Sequence, residues 1–72
     1  MARTSGEGLA NKIRELRARD RLTQADLADQ IEVSRQTVSA IENGEYNPSV
    51  VLALRIAQLF NEPVETIFWL AD

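Results

Sequence analysis

Three hydroxyl residues, Thr23, Ser34 and Ser49, each stand directly before a stretch whose apolar residues recur at helical spacing. A Ser or Thr side chain in that place accepts a bond from a free N–H of the first helical turn, so each marks a helix start. Thr23 is followed by Asp26 in capping-box register, where a carboxylate three residues on returns a bond to the capping residue's own N–H. Starts placed this close together allow only short helices with abrupt connections. They cut the chain into pieces that cannot be stable singly and must pack on one another.

The spacing predicts a helix over Thr23–Ile31 with Leu27, Ala28 and Ile31 inward, then the turn Glu32-Val33, then a helix over Ser34–Asn43 with Val38 and Ile41 inward. Gly44 is a natural residue just past a helix end. Asn47, before Pro48, is pushed to extended backbone, and Ser49 opens a helix to Phe60. That helix is apolar on most of its circumference (Val50, Val51, Leu52, Ala53, Leu54, Ile56, Ala57, Leu59 and Phe60), which predicts a central helix that the others surround. Asn61 is the expected stop, and Pro63 with Glu65 begins a last short helix carrying Ile67, Phe68, Trp69 and Leu70. At the other end, Leu9, Ile13 and Leu16 form an apolar stripe on a helix over Gly8–Asp20. No stretch alternates with the period of a strand. The expected fold is all-α, a compact five-helix domain over residues 8–72, preceded by a flexible lead over residues 1–7.

Composition narrows the function. Seventy-two residues suffice for one small domain, and a chain of this size buries little core unless a metal, disulfides or a partner adds to it. The sequence has no Cys and no His, which removes disulfides, zinc sites and the usual nucleophile–base pairs. No metal, no cofactor and no catalytic residue are expected, and the chain is not read as an enzyme. Self-association is the aid that remains. The longest apolar run is too short to cross a bilayer, which takes about 20 residues, and the lead has no secretory character; a cytoplasmic protein is expected. Residues 1–21 hold six of the eight Lys and Arg against three acids, whereas the rest holds two against eight, giving a net charge of −3. Such a balance argues against a general polyanion binder and leaves a specific one open.

The pair Thr23–Ile31 and Ser34–Asn43 has the form of a helix-turn-helix, in which the first helix crosses the DNA backbone and the second enters the major groove. Thr23-Gln24, Leu27-Ala28, Val33-Ser34, the run SRQTVSAIENG and Asn47-Pro48-Ser49 stand in the register of one family. Over about residues 9–70 the chain resembles the XRE (phage repressor and Cro-like) helix-turn-helix regulators. The resemblance implies a phage-repressor-like DNA-binding fold and assigns roles. Gln24 matches the position whose amide reaches a phosphate. Ser34, Arg35, Gln36, Ser39 and Ala40 match the groove-facing positions, with Thr37 at the flank and Asn43 where the helix end meets phosphate. Arg suits guanine, Gln adenine and Ala a thymine methyl. Arg17 and Glu42 match a semi-buried ion pair joining the first helix to the third. Three positions depart from the pattern: Arg21 and Glu32 stand where Gly is usual, at a modest cost if the backbone there has positive φ, and Glu45 lies in a loop that often carries basic phosphate contacts.

Lys12, Arg14 and Arg19 read as a solvated helix face, and Arg3 belongs to the lead. The run Ile67-Phe68-Trp69-Leu70 has more apolar surface than one side of a short helix can bury, which predicts a dimer interface there. The reading as a whole is a sequence-specific transcriptional regulator, a repressor binding an inverted-repeat operator in double-stranded DNA as a homodimer. An antitoxin sharing the same DNA surface, with a protein partner on another, is a close alternative. An acidic protein-binding module that has lost DNA binding is a second.

Overall fold

In the computed structural model, which describes residues 8–71, the chain runs β1 (Leu9–Asn11), α1 (Ile13–Asp20), α2 (Gln24–Ile31), α3 (Arg35–Glu42), α4 (Val50–Phe60), α5 (Val64–Ile67) and β2 (Phe68–Leu70). The five expected helices are present. The proposed lead over residues 1–7, with Arg3, lies outside the described residues. Each predicted cap is made: the side-chain oxygens of Thr23, Ser34 and Ser49 accept from the backbone N–H of Asp26, Thr37 and Leu52, and Thr23 with Asp26 closes a full capping box.

Helix ends follow one rule. Arg21, Glu32, Gly44 and Asn61 lie in the left-handed region at φ 61°, 65°, 76° and 57°. In each case the next N–H reaches back to a carbonyl of the last turn: Leu22 to Arg17, Val33 to Ala28, Glu45 to Ala40 and Glu62 to Ala57, at 2.8–3.1 Å. These are Schellman closures. Leu22 and Val33, the residues just after two of the turns, pack against the core, which completes the motif with an apolar contact. The core itself joins Ile13 and Leu16 of α1, Leu27, Ala28 and Ile31 of α2, Val38 and Ile41 of α3, Leu52, Ile56, Ala57 and Phe60 of α4, then Ile67 and Phe68.

Both ends of the chain correct the reading from periodicity. Residues 9–11 are a strand, not the first turns of a helix, and Phe68–Leu70 leaves the last helix to pair with it, antiparallel, Leu9 opposite Leu70 and Asn11 opposite Phe68. Lys12 N–H to Ile67 O at 3.1 Å and Ala71 N–H to Gly8 O at 2.9 Å extend the ladder. The expectation that no strand occurs fails because each strand is three residues long, too short for alternation to register. Asn11 fixes the start of α1, its Oδ1 accepting from Ile13 N–H at 3.1 Å.

This ribbon also divides the apolar run proposed as a dimer surface. Ile67 and Phe68 are buried in the chain's own core, so they are corrected from interface to core residues, whereas Trp69 and Leu70 are 46% and 72% exposed. Trp69 faces away from the side that Phe68 occupies, as successive strand residues do, and Leu70 is uncovered among the described residues. Helix α4 needs a correction too. It buries Leu52, Ile56, Ala57 and Phe60, but Val50, Val51 and Leu54 are 75%, 60% and 49% exposed, so one flank faces away from the other helices.

The left-handed turns generate a prediction. A side chain in that region strains the backbone by roughly 1–2 kcal/mol, part of which a glycine returns as unfolded-state entropy. Arg21→Gly and Glu32→Gly are each expected to raise stability by up to about 1 kcal/mol, while Asn61→Gly gains less because Asn tolerates the conformation. Urea unfolding of the three variants checks the order.

Candidate nucleic-acid interface

The second half of the helix-turn-helix is aimed by its own buried face. Val38 and Ile41 lock α3 onto the core, which leaves Arg35 and Gln36 exposed in its first turn and Ser39 and Ala40 half-buried behind them. Gln24, at the first position of α2, lines a shallow groove with Arg35, Gln36 and Ser39. Four of the residues singled out by register, Gln24, Arg35, Gln36 and Ser39, therefore line one surface. Ser34 and Thr37 are engaged locally: Ser34 Oγ accepts from Thr37 N–H at 3.1 Å, and the two hydroxyls lie 3.0 Å apart. Their part is to set the start of α3, and the bond between the two hydroxyls uses one of their two hydrogens. Asn43 is exposed at the other end, its N–H bonded to Ser39 O.

Below this surface sits the expected ion pair. Arg17 Nε donates to Glu42 Oε2 at 2.6 Å and Arg17 Nη2 to Oε1 at 3.3 Å. The third nitrogen, Nη1, donates to Leu22 O at 3.0 Å, which ties the turn after α1 into the same assembly. The Glu42 side chain is 1% exposed and that of Arg17 15%. Gln24 joins the pair, Nε2 donating to Glu42 Oε1 at 3.0 Å. Only one of its two amide hydrogens is used in this way. Glu42 is thus a single acceptor shared by α1, α2 and α3. Burial alone would push its carboxyl up; the bonds from Arg17 and Gln24 and the charges of Arg17 and Arg14 reverse that and hold it below the usual carboxylate value.

Two features escaped the sequence reading. Asn11 Nδ2 donates to Ile41 O at 3.0 Å, so the first strand is bonded to the last turn of α3. An Asn two residues before the first buried position of a helix is a cap-like signal, which the assumed start at Gly8 concealed. Arg19, read as solvated, donates to Glu62 at 2.7 Å, to Phe60 O at 2.9 Å and to Asp20 at 2.8 Å, clasping the end of α4. Among the described residues no group of His, Cys, Asp and Glu is placed to hold a metal, and none of the described helices is long and apolar enough to cross a membrane.

The Glu42 site predicts both mutational and pH effects. Removing one partner of a fully buried pair costs about 3–5 kcal/mol, and the exposed side of Arg17 places Arg17→Ala below that limit. Glu42→Ala is expected to lower the melting temperature more than Glu42→Gln, which keeps an acceptor. Because the Glu42 carboxyl is depressed in the folded state, its contribution is present above the unfolded carboxylate range and disappears as pH falls through the folded value. Acid unfolding of Glu42→Gln should consequently be less steep than that of the parent; equal slopes would contradict the assignment.

The comparisons agree with this geometry. The helix-turn-helix family model matches residues 13–67. The chain is 47% identical over 64 residues to YgzD of Bacillus subtilis, named an uncharacterized HTH-type transcriptional regulator, covering 89% of this chain and 97% of that one. It is 48% identical over 64 residues, with the same coverage, to another protein so named from Methanocaldococcus jannaschii. Among solved structures, the restriction-modification controller protein C.AhdI of Aeromonas hydrophila is 31% identical with a TM-score of 0.69, over 75% of this chain and 82% of that one. A protein of Bacteroides fragilis is 24% identical and shares the fold, with a TM-score of 0.75 over 85% of this chain and 98% of that one. Register, caps, the α3 surface and these matches lead to one conclusion: the chain belongs to the XRE type of helix-turn-helix transcriptional regulators.

Proposed function

We propose that this protein represses transcription by binding an inverted-repeat operator as a homodimer, each protomer laying α3 in one major groove. The carrying observation is the α3 surface: Arg35 and Gln36 are exposed beside Gln24 and Ser39 while Val38 and Ile41 hold the helix from below. Arg35 reads guanine through O6 and N7, Gln36 reads adenine through N6 and N7, and Ala40 meets a thymine methyl. Gln24, with its unused amide hydrogen, and Asn43 contact phosphates on either side. Repression follows by occlusion, since the bound dimer covers the operator. Two-fold symmetry would set the half-site centres about 34 Å apart.

Trp69 and Leu70 are the residues of the terminal segment that remain for self-association. Large apolar side chains left exposed at successive positions of a short ribbon are the kind of surface a second copy covers. The relative from Aeromonas hydrophila, named as a controller protein of restriction-modification, supports a regulatory role of this general kind.

Binding-site selection from random duplexes tests the reading and should return an inverted repeat. On the selected site, Arg35→Ala and Gln36→Ala are each expected to cost about 1–3 kcal/mol and relax preference at one base pair. Unchanged affinity and preference in both would reject the docking. Trp69→Asp with Leu70→Asp, which leaves the core residues Ile67 and Phe68 in place, should give folded monomers that bind one half-site weakly, because the second α3 loses its high effective concentration. Sedimentation of parent and variant decides it. A parent that is monomeric at micromolar concentration and loads DNA without cooperativity would remove the dimer.

A further inference from the structure

We propose that Arg14 is a phosphate-contacting residue of α1, held at the rim of the α3 groove by the buried Glu42 carboxylate; this rests on the DNA-binding reading above. Of the arginines on α1, two are consumed by the fold. Arg17 directs Nε, Nη1 and Nη2 to Glu42 and Leu22 O. Arg19 directs its own three nitrogens to Asp20, Glu62 and Phe60 O.

Arg14 differs from both. Its side chain is 70% exposed, and its Nε lies 3.7 Å from Glu42 Oε1, near enough for attraction but beyond hydrogen-bond length. Among the described residues its terminal Nη groups make no hydrogen bond. The same Oε1 accepts from Gln24 Nε2 at 3.0 Å, and Gln24 in turn borders the groove with Arg35, Gln36 and Ser39. One carboxylate oxygen therefore places Arg14 next to Gln24, at the edge of the surface that α3 would press into DNA. Glu42 is already neutralised by Arg17 through two bonds, so the charge of Arg14 is surplus to the pair and available to an outside anion.

That anion is a phosphate and not a base edge because of where Arg14 is rooted. Its stem rises from α1, outside the helix that enters the groove. A guanidinium anchored there meets the sugar–phosphate wall that flanks the groove, where such contacts set register without reading sequence. Glu42 acts as the positioning residue, restraining Nε and leaving the Nη pair for the ligand.

The test compares salt dependence of binding for the parent, Arg14→Gln, Arg14→Lys and Arg19→Gln, each on the duplex obtained by selection and on a scrambled duplex of equal length. Loss of one phosphate contact makes the slope of log K against log salt shallower by about 0.9 per protomer. Arg14→Gln should show that change, weaken binding to both duplexes by a similar factor and leave the preferred bases unaltered. Arg14→Lys should restore the parent slope, and Arg19→Gln should keep it while lowering the melting temperature. A parent slope in Arg14→Gln overturns the proposal, as does an altered base preference. If the parent selects no site and binds neither duplex, the DNA-binding reading fails and this inference with it; a parent that binds specifically while Arg14→Gln is indistinguishable from it sinks the Arg14 assignment alone.

Discussion

The carboxylate of Glu42 is almost entirely removed from water, and the donors that compensate it come from two other helices, Arg17 of α1 and Gln24 of α2. A buried charge is tolerated only when its hydrogen bonds are made with good geometry. This one is satisfied only when α1, α2 and α3 are all in place. An apolar residue of similar size could match its stability, but would not distinguish one rotation of α3 from another. The pair therefore acts on orientation more than on net stability. Arg17 extends the constraint to the turn after α1 through Leu22 O, and Asn11 extends it to the terminal ribbon through Ile41 O.

Orientation is also set by how little backbone separates α2 from α3. Glu32 takes the left-handed conformation, Val33 returns its N–H to Ala28 O and packs on the core, and Ser34 already caps the next helix. No residue in that sequence is idle, so the turn has no slack through which the crossing angle could drift. The arrangement accepts a strained Glu32 where glycine would relax. The apolar Val33 and the buried Ala28 make the geometry favourable regardless of that strain, as tertiary context commonly overrides local preference.

This division explains what could be read from the residues alone. Caps, stops and the inward positions of α2 and α3 were legible because each is decided within a few residues: a hydroxyl and an N–H, a Gly or Asn past a helix end, two apolar residues a turn apart. The Arg17–Glu42 pair was legible only through family register, since nothing local joins residues that distant in the chain. The terminal ribbon was not legible. Leu9–Asn11 and Phe68–Leu70 gain their form from each other, and Leu9 falls on the helical stripe of Ile13 and Leu16 by coincidence of spacing. The run ending in Leu70 accordingly looked like an overloaded helix when it is a core residue pair, Ile67 and Phe68, followed by an exposed one. For α4 the apolar content was plain, but content does not tell which flank neighbours will reach, and Val50, Val51 and Leu54 were left uncovered.

An acidic chain that binds DNA poses an electrostatic question that the position of its charges answers. Asp26 is occupied in the capping box, with the Thr23 backbone N–H and hydroxyl holding its carboxyl below the usual range. Asp20 is likewise held low by Arg19, and Glu62 is bound by the same arginine at the far end of α4. Glu42 is buried and paired. Four acids are thus spent on structure, three of them beside an arginine that is spent with them, so the free acids a phosphate would meet are fewer than the composition suggests. What remains there is a small set of donors, Arg14, Gln24, Arg35, Gln36 and Asn43, with only two cations among them. Non-specific affinity comes almost wholly from phosphate neutralisation, so in the proposed docking a surface so sparing of cations would hold random DNA weakly. In the docking proposed above discrimination would come from α3 itself, and the seating of that helix by Glu42 is the physical condition for it.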